Sequence, residues 1–327
     1  MLRPRGVRSC NIIDAVILLI GFVVLIKGAD LLVSGAASFA ARLGISGIVI
    51  GLTIVSFGTS LPEMLVTIVS GFRNNSDLAI GNLLGSNVAN VLLVLGVAAI
   101  IRPLPVHNST VFSEIPFSLT AAILVGFLAN TALFSDLPVL SIGRLDGFIL
   151  LFFFLLFMIY VYQVSGDPTD DIATEALPGK VRPVVYIVAG IVALYLGGTW
   201  VVDGAIGVAM AIGLDEATIG LTVVAIGTSA PELTASAVAA YRRQTDIAVG
   251  NVVGSNIFNL LWVLGLTSSF VELPFDVVSN TDIVMVIASS ALIILALVSG
   301  RRNTIMRAHG VVFVVLYMIY LSYVVLR

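Results

Sequence analysis

The amino-acid sequence predicts an all-α polytopic membrane protein in which ten transmembrane helices form two five-helix repeats of inverted topology. Of its 327 residues, 59% are hydrophobic and only 11% are charged, whereas soluble domains carry roughly 25% charged residues. So few charges cannot cover the surface of a soluble fold, which excludes most soluble enzymes and disordered proteins. The net charge of -3 gives no indication of nucleic-acid binding.

Ten continuous apolar stretches are long enough to cross a bilayer, since a transmembrane helix needs about 20 mostly apolar residues. Polar and apolar residues do not alternate along them, which excludes a β-barrel. We number these stretches as spans 1 to 10. They cover residues 12–33, 45–72, 78–101, 114–134, 146–164, 183–203, 215–241, 247–270, 281–300 and 310–326.

Lysine and arginine residues in the loops predict the orientation, because cytoplasmic loops carry an excess of them. With both termini outside, nine of these residues lie in inner loops and three lie on the outer side. The basic amino-terminal arm opposes this orientation, and we follow the loops. Residues 165–182 then form a cytoplasmic linker between a first repeat at 1–164 and a second repeat at 183–327.

An internal duplication is the strongest signal in the sequence. After a shift of 169 residues, 51–63 aligns with 220–232 at nine identical positions of thirteen, and 81–90 aligns with 250–259 at six of ten. The matches are Gly, Thr, Ser, Pro, Glu and Asn, which chance similarity between apolar helices would not align. Five spans separate the two copies, so the second copy runs in the opposite direction across the membrane. Such inverted repeats place their matching motifs at a shared site near the midplane.

The first motif of each repeat places ligand oxygens at a break in a helix. Pro62 lacks an amide hydrogen and its ring crowds the carbonyl four residues back, so span 2 should break or kink there. Thr59 and Glu63 are four residues apart and share a helix face, with Ser60 beside it. This turn offers a carboxylate, two hydroxyls and free carbonyl oxygens. Span 7 repeats the set with Thr228, Ser229, Pro231 and Glu232.

The second motif of each repeat adds a hydroxyl and an amide on one helix face, through Ser86 and Asn90 in span 3 and through Ser255 and Asn259 in span 8. All of these ligands are oxygens, which suits calcium or sodium and does not suit zinc or copper. A pattern of Gly, Ser and Thr alone is more typical of helix packing, and the adjacent glutamates favour a cation site. Two interpretations stay open for Asn87 and Asn256, namely interhelical hydrogen bonding and ion binding.

Glu63 and Glu232 are the ionisable groups that the sequence places deep in the spans, with no lysine or arginine near them. Buried membrane carboxylates are costly and are usually functional. Two carboxylates balance one divalent cation, two monovalent cations or two protons. Competition between species of equal total charge for one site is the electrostatic requirement for exchange.

The remaining polar groups receive structural interpretations. Lys27 and Asp30 are expected to form a local ion pair or to snorkel near the end of span 1. Asp203 is expected to be solvated at a helix end, and His107 lies in a loop without an identifiable partner. Asp77 and Asp246 open spans 3 and 8, where they are expected to cap the helices.

At the two motif pairs, the sequence resembles the cation/calcium antiporter superfamily, and its sodium/calcium exchangers most closely. The resemblance covers 51–96 and 220–265, and the Gly-Thr-Ser-x-Pro-Glu and Gly-Ser-Asn-x-x-Asn motifs carry it. It implies an alternating-access antiporter of 5+5 inverted-repeat fold that exchanges calcium for sodium, and not an enzyme. We expect it to lie in a prokaryotic cytoplasmic membrane, in contact with lipid, as a monomer and without a cofactor.

The resemblance also implies the ion ligands. Calcium would be bound by Glu63, Glu232, Asn90 and Asn259, with Thr59 and Thr228. Sodium would be bound by the two glutamates, by the hydroxyls of Thr59, Ser60, Ser86, Thr228, Ser229 and Ser255, and by the main-chain carbonyls of Ser56 and Ala225.

Three alternatives differ in their sequence signals. Proton-coupled relatives carry a Glu after a Gly-Asn pair, and neither Asn82 nor Asn251 is followed in that way, so sodium coupling is favoured. Asn259 stands where many prokaryotic and potassium-dependent relatives have Asp and others have Asn, which disfavours potassium dependence. A cation channel would share the oxygen-lined site but would not need an inverted repeat. An intramembrane enzyme would need a nucleophile with a base or paired aspartates, and the sequence shows neither.

Overall fold

The structure is a computed structural model that describes residues 12–131, 140–164, 177–211, 225–299 and 303–326. It is nearly all-helical, as the sequence predicts. The helices of the first repeat are Ile12–Leu43, Gly47–Ile50, Gly51–Val55, Ser56–Thr59, Leu61–Phe72, Ser76–Ala89, Asn90–Leu95, Gly96–Ile101, Asn108–Phe112, Glu114–Ala129 and Arg144–Val164. Those of the second repeat are Val181–Ala211, Ala225–Thr228, Ala230–Tyr241, Thr245–Ile257, Phe258–Val263, Leu264–Phe270, Ser279–Val298 and Arg307–Leu326.

Nine of the ten predicted spans are long and apolar enough within the described residues to cross a membrane. Eight are continuous helical spans, some with a π-helical turn inside them, and span 2 counts as the ninth if its two halves, Gly47–Thr59 and Leu61–Phe72, are taken as one bent span. Span 7 lies partly outside the described residues, which include its helices Ala225–Thr228 and Ala230–Tyr241. The predicted linker at 165–182 is described only from residue 177.

Two short antiparallel strand pairs join loops of one repeat to loops of the other, and the sequence analysis did not anticipate them. Leu104–Pro105 pairs with Thr304–Ile305, and Ser141–Ile142 pairs with Leu273–Pro274. Each strand has two residues, which is too short for an alternating pattern to be visible in the sequence. The local signal is the Leu-Pro pair, since a residue before proline favours extended backbone.

Spans 1 and 6 are the longest helices, with 32 and 31 residues, and they pack against each other along their length. Glycines spaced by seven residues line both sides of this contact: Gly21, Gly28 and Gly35 on span 1, and Gly190, Gly197 and Gly204 on span 6. A Cβ atom at Gly197 would lie 2.6 Å from the backbone nitrogen of Leu25, and one at Gly28 would lie 2.8 Å from that of Leu194. The helices therefore touch backbone to backbone, as small residues permit in membranes.

The contacts of two polar groups correct the sequence interpretation. Asp30 forms an ion pair with Arg242 rather than with Lys27, because span 1 packs against Ala230–Tyr241. His107 Nε2 lies 3.2 Å from Asp246 Oδ2, so this histidine does have a partner. Both partners are distant in sequence, which explains why local spacing did not reveal them.

Asp77 was expected to cap the span 3 helix, and Asp203 was expected to be solvated at a helix end. The span 3 helix is capped by Asn75, whose Oδ1 accepts a hydrogen bond from the amide of Leu78, and not by Asp77. Asp203 is exposed, as expected, but it lies inside the helix Val181–Ala211 and not at its end.

Candidate functional site

Spans 2 and 7 are interrupted at equivalent serines. Ser60 separates Ser56–Thr59 from Leu61–Phe72, and the two helices meet at 51°. Ser229 separates Ala225–Thr228 from Ala230–Tyr241, and its φ and ψ of -85° and 6° match the -83° and 9° of Ser60. In both spans the proline follows within the first two residues of the new helix, where its missing amide hydrogen costs no helical bond.

The breaks place both glutamates in the first turn of a helix. Helix amino termini carry partial positive charge, which favours a carboxylate there. Glu63 and Glu232 are 1% and 0% exposed.

Three helical stretches at the site are π-helical, with one extra residue per turn. They are Gly51–Val55 in span 2, Asn90–Leu95 in span 3 and Phe258–Val263 in span 8. Asn90 begins one stretch and Asn259 is the second residue of another. Such stretches often occur at functional sites because they redirect side chains. No sequence signal distinguishes them from α-helix.

The two repeats meet at this point. A Cβ atom at Gly51 would lie 2.9 Å from the Cα atom of Gly250, so spans 2 and 8 cross with their backbones in contact. The hydroxyl of Ser60 lies 2.9 Å from Glu232 Oε1 and 3.0 Å from the hydroxyl of Ser255. Asn90 Nδ2 donates to Asn256 Oδ1 at 3.1 Å. Groups that are 166 to 195 residues apart in sequence therefore share one polar cluster.

The sequence-predicted ligands are almost all buried. Exposure is 4% or less for Ser56, Thr59, Ser60, Glu63, Ser86, Asn90, Ser229, Glu232, Ser255 and Asn259. Thr228 is half-buried. The backbone of Ala225 begins the helix Ala225–Thr228, and its side chain lies outside the described residues.

Asn82 and Asn251 brace the two glutamates, a role that the sequence analysis did not assign to them. Asn82 Nδ2 donates to the carbonyl of Glu63 at 3.2 Å and to the hydroxyl of Thr67 at 3.1 Å. Asn251 Nδ2 likewise donates to the carbonyl of Glu232 at 3.4 Å and to the hydroxyl of Ser236 at 2.9 Å. The signal was their position in the repeat, because both asparagines follow the glycine that opens the second motif.

Asn251 also connects the repeats. The hydroxyl of Thr59 donates to Asn251 Oδ1 at 3.1 Å, so one amide holds a hydroxyl of the first repeat and the backbone of the glutamate of the second. The Thr59 hydroxyl also lies 3.4 Å from the carbonyl oxygen of Ser56.

Several buried oxygens of the cluster have no hydrogen-bond partner among the described residues. They are both carboxylate oxygens of Glu63, Oε2 of Glu232, Oδ1 of Asn90, Oδ1 of Asn259 and the hydroxyl oxygen of Ser229. Buried polar atoms are normally paired. The amide nitrogen of Asn259 is also without a partner among these residues. Carboxylate and amide oxygens of this kind are the ligands that hard cations bind.

The number of carboxylates limits which cation the cluster could hold. The described residues contain no group of three or more His, Cys, Asp and Glu side chains. A cation at this cluster would therefore be coordinated by the two carboxylates together with neutral hydroxyl, amide and carbonyl oxygens. This combination suits hard cations such as calcium or sodium and provides at most two negative charges.

Two further buried acids lie outside the cluster, each in the first turn of the fourth span of its repeat. Glu114, at the start of its helix, accepts a hydrogen bond from the Tyr160 hydroxyl at 2.8 Å. Asp282, in the first turn of span 9, accepts one from Tyr320 at 3.0 Å. Each pair joins two adjacent spans of one repeat, and Oε2 of Glu114 has no hydrogen-bond partner among the described residues.

Comparison with known proteins supports the interpretation of the motifs. The Sodium/calcium exchanger protein family matches residues 13–163 and 182–326. Inner membrane protein YrbG of Escherichia coli is 37% identical over 88% of this chain and 89% of its own length. Sodium/calcium exchanger MaX1 of Methanosarcina acetivorans is 32% identical over 94% of this chain and 97% of its own length.

A solved structure agrees at the level of the fold. The sodium-calcium exchanger NCX_Mj superposes with a TM-score of 0.81 at 31% identity, over 95% of this chain and 98% of its own. Together with the family match along both repeats, this similarity settles the assignment. The chain belongs to the sodium/calcium exchanger family of membrane cation antiporters and has the inverted-repeat helical fold of that family.

Proposed function

We propose that this protein exchanges calcium for sodium by alternating access at the polar cluster between spans 2, 3, 7 and 8. The observation that carries the proposal is the pair of buried glutamates whose carboxylate oxygens include three without hydrogen-bond partners among the described residues. Leaving such groups without a counter-charge in a membrane is costly. A bound cation supplies that charge, and the family of the chain indicates which cations to test.

Calcium is assigned to Glu63, Glu232, Asn90 and Asn259, with Thr59 and Thr228. The two carboxylates neutralise the dication, and the amide and hydroxyl oxygens complete the coordination, because calcium takes 6–8 oxygen ligands. The unpartnered Oδ1 atoms of Asn90 and Asn259 are available for this purpose. Neither asparagine adds charge, so two monovalent cations can replace the dication without a change in total charge.

Sodium is assigned to the same carboxylates and to the neutral oxygens around them. These are the hydroxyls of Thr59, Ser60, Ser86, Thr228, Ser229 and Ser255 and the carbonyls of Ser56 and Ala225. The contact between Ser60 and both Glu232 and Ser255 supports a shared site, because a sodium ion near one of these oxygens is near all three. The two cations then exclude each other.

The membrane location, orientation and oligomeric state are proposed from the loop charges and from the family of the chain. The protein lies in a prokaryotic cytoplasmic membrane with both termini outside. Its repeats are 1–164 and 183–327, and the linker 165–182 is cytoplasmic. It works as a monomer surrounded by lipid, and calcium and sodium are its cargo rather than cofactors.

The test is calcium uptake by proteoliposomes that contain the purified protein. Vesicles loaded with sodium and diluted into sodium-free medium should accumulate calcium, and vesicles with a proton gradient of the same size should not. Uptake driven by the proton gradient alone would favour the proton-coupled alternative. Calcium flux that needs neither counter-ion would indicate a channel.

The proposed division of ligands predicts a selective effect of serine substitutions. Sodium has half the charge of calcium and depends more on neutral oxygens, so Ser86→Ala and Ser255→Ala should weaken sodium more. One lost contact is worth about 1 kcal/mol, or roughly a fivefold rise in the sodium concentration for half-maximal exchange. Calcium/calcium exchange, measured in the same vesicles, should stay nearly unchanged.

Ser268→Ala is the matched control for these variants. Ser268 is buried in span 8, but its hydroxyl donates to the carbonyl of Leu264 at 2.8 Å, within its own helix. The Ser268→Ala variant should leave both sodium-dependent exchange and calcium/calcium exchange unaltered. A proportional loss of both modes in Ser86→Ala or Ser255→Ala would mean that these hydroxyls bind calcium or serve only in packing.

A further inference from the structure

Two arginines occupy the same structural position in the two repeats. Arg73 and Arg242 are 169 residues apart and end the helices Leu61–Phe72 and Ala230–Tyr241. Their φ and ψ values agree, at -89° and 7° for Arg73 and -78° and 6° for Arg242. The next residue has positive φ in both turns, 58° at Asn74 and 65° at Arg243. The arginines therefore begin from equivalent backbone positions on opposite faces of the membrane.

Arg242 holds span 1 against the second repeat. Its guanidinium forms an ion pair with Asp30 and donates a hydrogen bond of 2.9 Å to the hydroxyl of Ser34. Asp30 and Ser34 are one turn apart on span 1, and this helix packs against Ala230–Tyr241. On this face of the protein, span 1 and the helix that carries Glu232 are therefore in contact.

On the other face, Arg73 does not form the corresponding ion pair with span 6 within the described residues. The shift of 169 residues carries Asp30 to Thr199 and Ser34 to Asp203, so span 6 also has an acid and a hydroxyl one turn apart, in reversed order. Within the described residues, neither Arg73 nor Asp203 forms an ion pair, and both are exposed.

A cavity lies between the span 2 helix and span 6, beside Asp203. Its volume is about 230 Å³, and it is lined by Leu65 and Val66 of the span 2 helix and by Thr199 and Asp203 of span 6. It also reaches Thr228, one of the proposed ligands. Arg73 does not line this cavity, but the cavity separates the helix Leu61–Phe72 from span 6, whereas Ala230–Tyr241 packs against span 1.

We propose that Arg73 and Asp203 are gating residues that form the counterpart ion pair in the opposite-facing state, in which the pair of Arg242 and Asp30 is broken. The inference rests on the alternating access of the proposed function. Inverted repeats exchange their conformations when access alternates, so a contact made by one repeat is expected from the other. Exposed ion pairs are weak, so each pair favours its state without trapping it.

Crosslinking tests this proposal without any measurement of transport. In a Cys10→Ser background, Arg73→Cys with Asp203→Cys is treated with a short bifunctional maleimide, and Asp30→Cys with Arg242→Cys is the control pair. The control pair should couple readily. The 73–203 pair should couple weakly, and its yield should rise about two- to fivefold when Asp30→Ala removes the opposing ion pair.

Two results would overturn the proposal: no coupling of the 73–203 pair where the control pair couples, and an equal yield with and without Asp30→Ala. Failure of sodium-driven calcium uptake would contradict the proposed function but leave this measurement interpretable.

Charge reversal covers the case in which a cysteine variant does not fold. Arg73→Asp and Asp203→Arg should each slow exchange, and the double variant should recover most of it. A normal rate in Asp203→Arg alone would mean that this aspartate is only solvated.

Discussion

Calcium exchange should fall at least ~100-fold when either Glu63 or Glu232 is replaced by Gln. Either change leaves one carboxylate for a dication in a site that is almost fully buried. A buried charge that loses its compensation costs several kcal/mol, and every 1.4 kcal/mol is about tenfold in binding. The measurement is sodium-driven calcium uptake at equal amounts of reconstituted protein.

Glu114→Gln is the matched control for these substitutions. Glu114 is also buried, at 2% exposure, but it accepts a hydrogen bond from Tyr160 outside the cluster, and Gln can accept the same bond. Its exchange rate should stay within about twofold of the parent. All three variants should elute from size exclusion as the parent does. Near-normal calcium uptake in Glu63→Gln or Glu232→Gln would refute the assignment of the carboxylates.

Gly197→Ala should destabilise the protein strongly, because spans 1 and 6 touch at this residue. The added methyl would lie 2.6 Å from the nitrogen and 2.9 Å from the Cα atom of Leu25, and the backbone cannot yield as a side chain can. Overpacking of this kind costs roughly 1–3 kcal/mol. We expect a lower melting temperature in detergent and a loss of exchange that follows the loss of folded protein.

The neighbouring glycine provides the control on the same helix. A Cβ atom at Gly198 would lie 3.5 Å from Pro231 Cγ and 3.8 Å from Leu25 Cδ1, which are ordinary van der Waals distances. Gly198→Ala should therefore leave the melting temperature unchanged or slightly raised, since Ala favours helix over Gly. Equal melting temperatures for the two variants would mean that the helices are farther apart than the structure shows.

The helical membrane fold and the meeting of the repeats could be predicted from the sequence because their signals are redundant. Apolar length indicated the spans, and the 169-residue duplication indicated that the Pro62 and Pro231 turns would meet. The breaks occur two residues before these prolines, at Ser60 and Ser229, as the missing amide hydrogen requires.

Other features depend on contacts that no local pattern encodes. Asp30 was paired with Lys27 because the two are close in sequence, whereas Arg242 reaches it through the packing of span 1 on the other repeat. The π-helical turn at Asn90 follows from side-chain and backbone packing that has no signature in residue type. The glycine contact between spans 1 and 6 has a signal in the sequence, because the seven-residue glycine spacing of span 1 recurs on span 6 at all three positions after the shift of 169 residues. A search for spaced small residues would have found it.

The central claim is that calcium and sodium compete for one site at Glu63 and Glu232. Calorimetric titration of the purified protein with calcium, at a series of sodium concentrations and constant ionic strength, tests it directly. A shared site predicts that the apparent calcium affinity falls as sodium rises, more steeply than in proportion, because more than one sodium ion replaces each calcium ion. A calcium affinity that is the same at every sodium concentration would contradict the account.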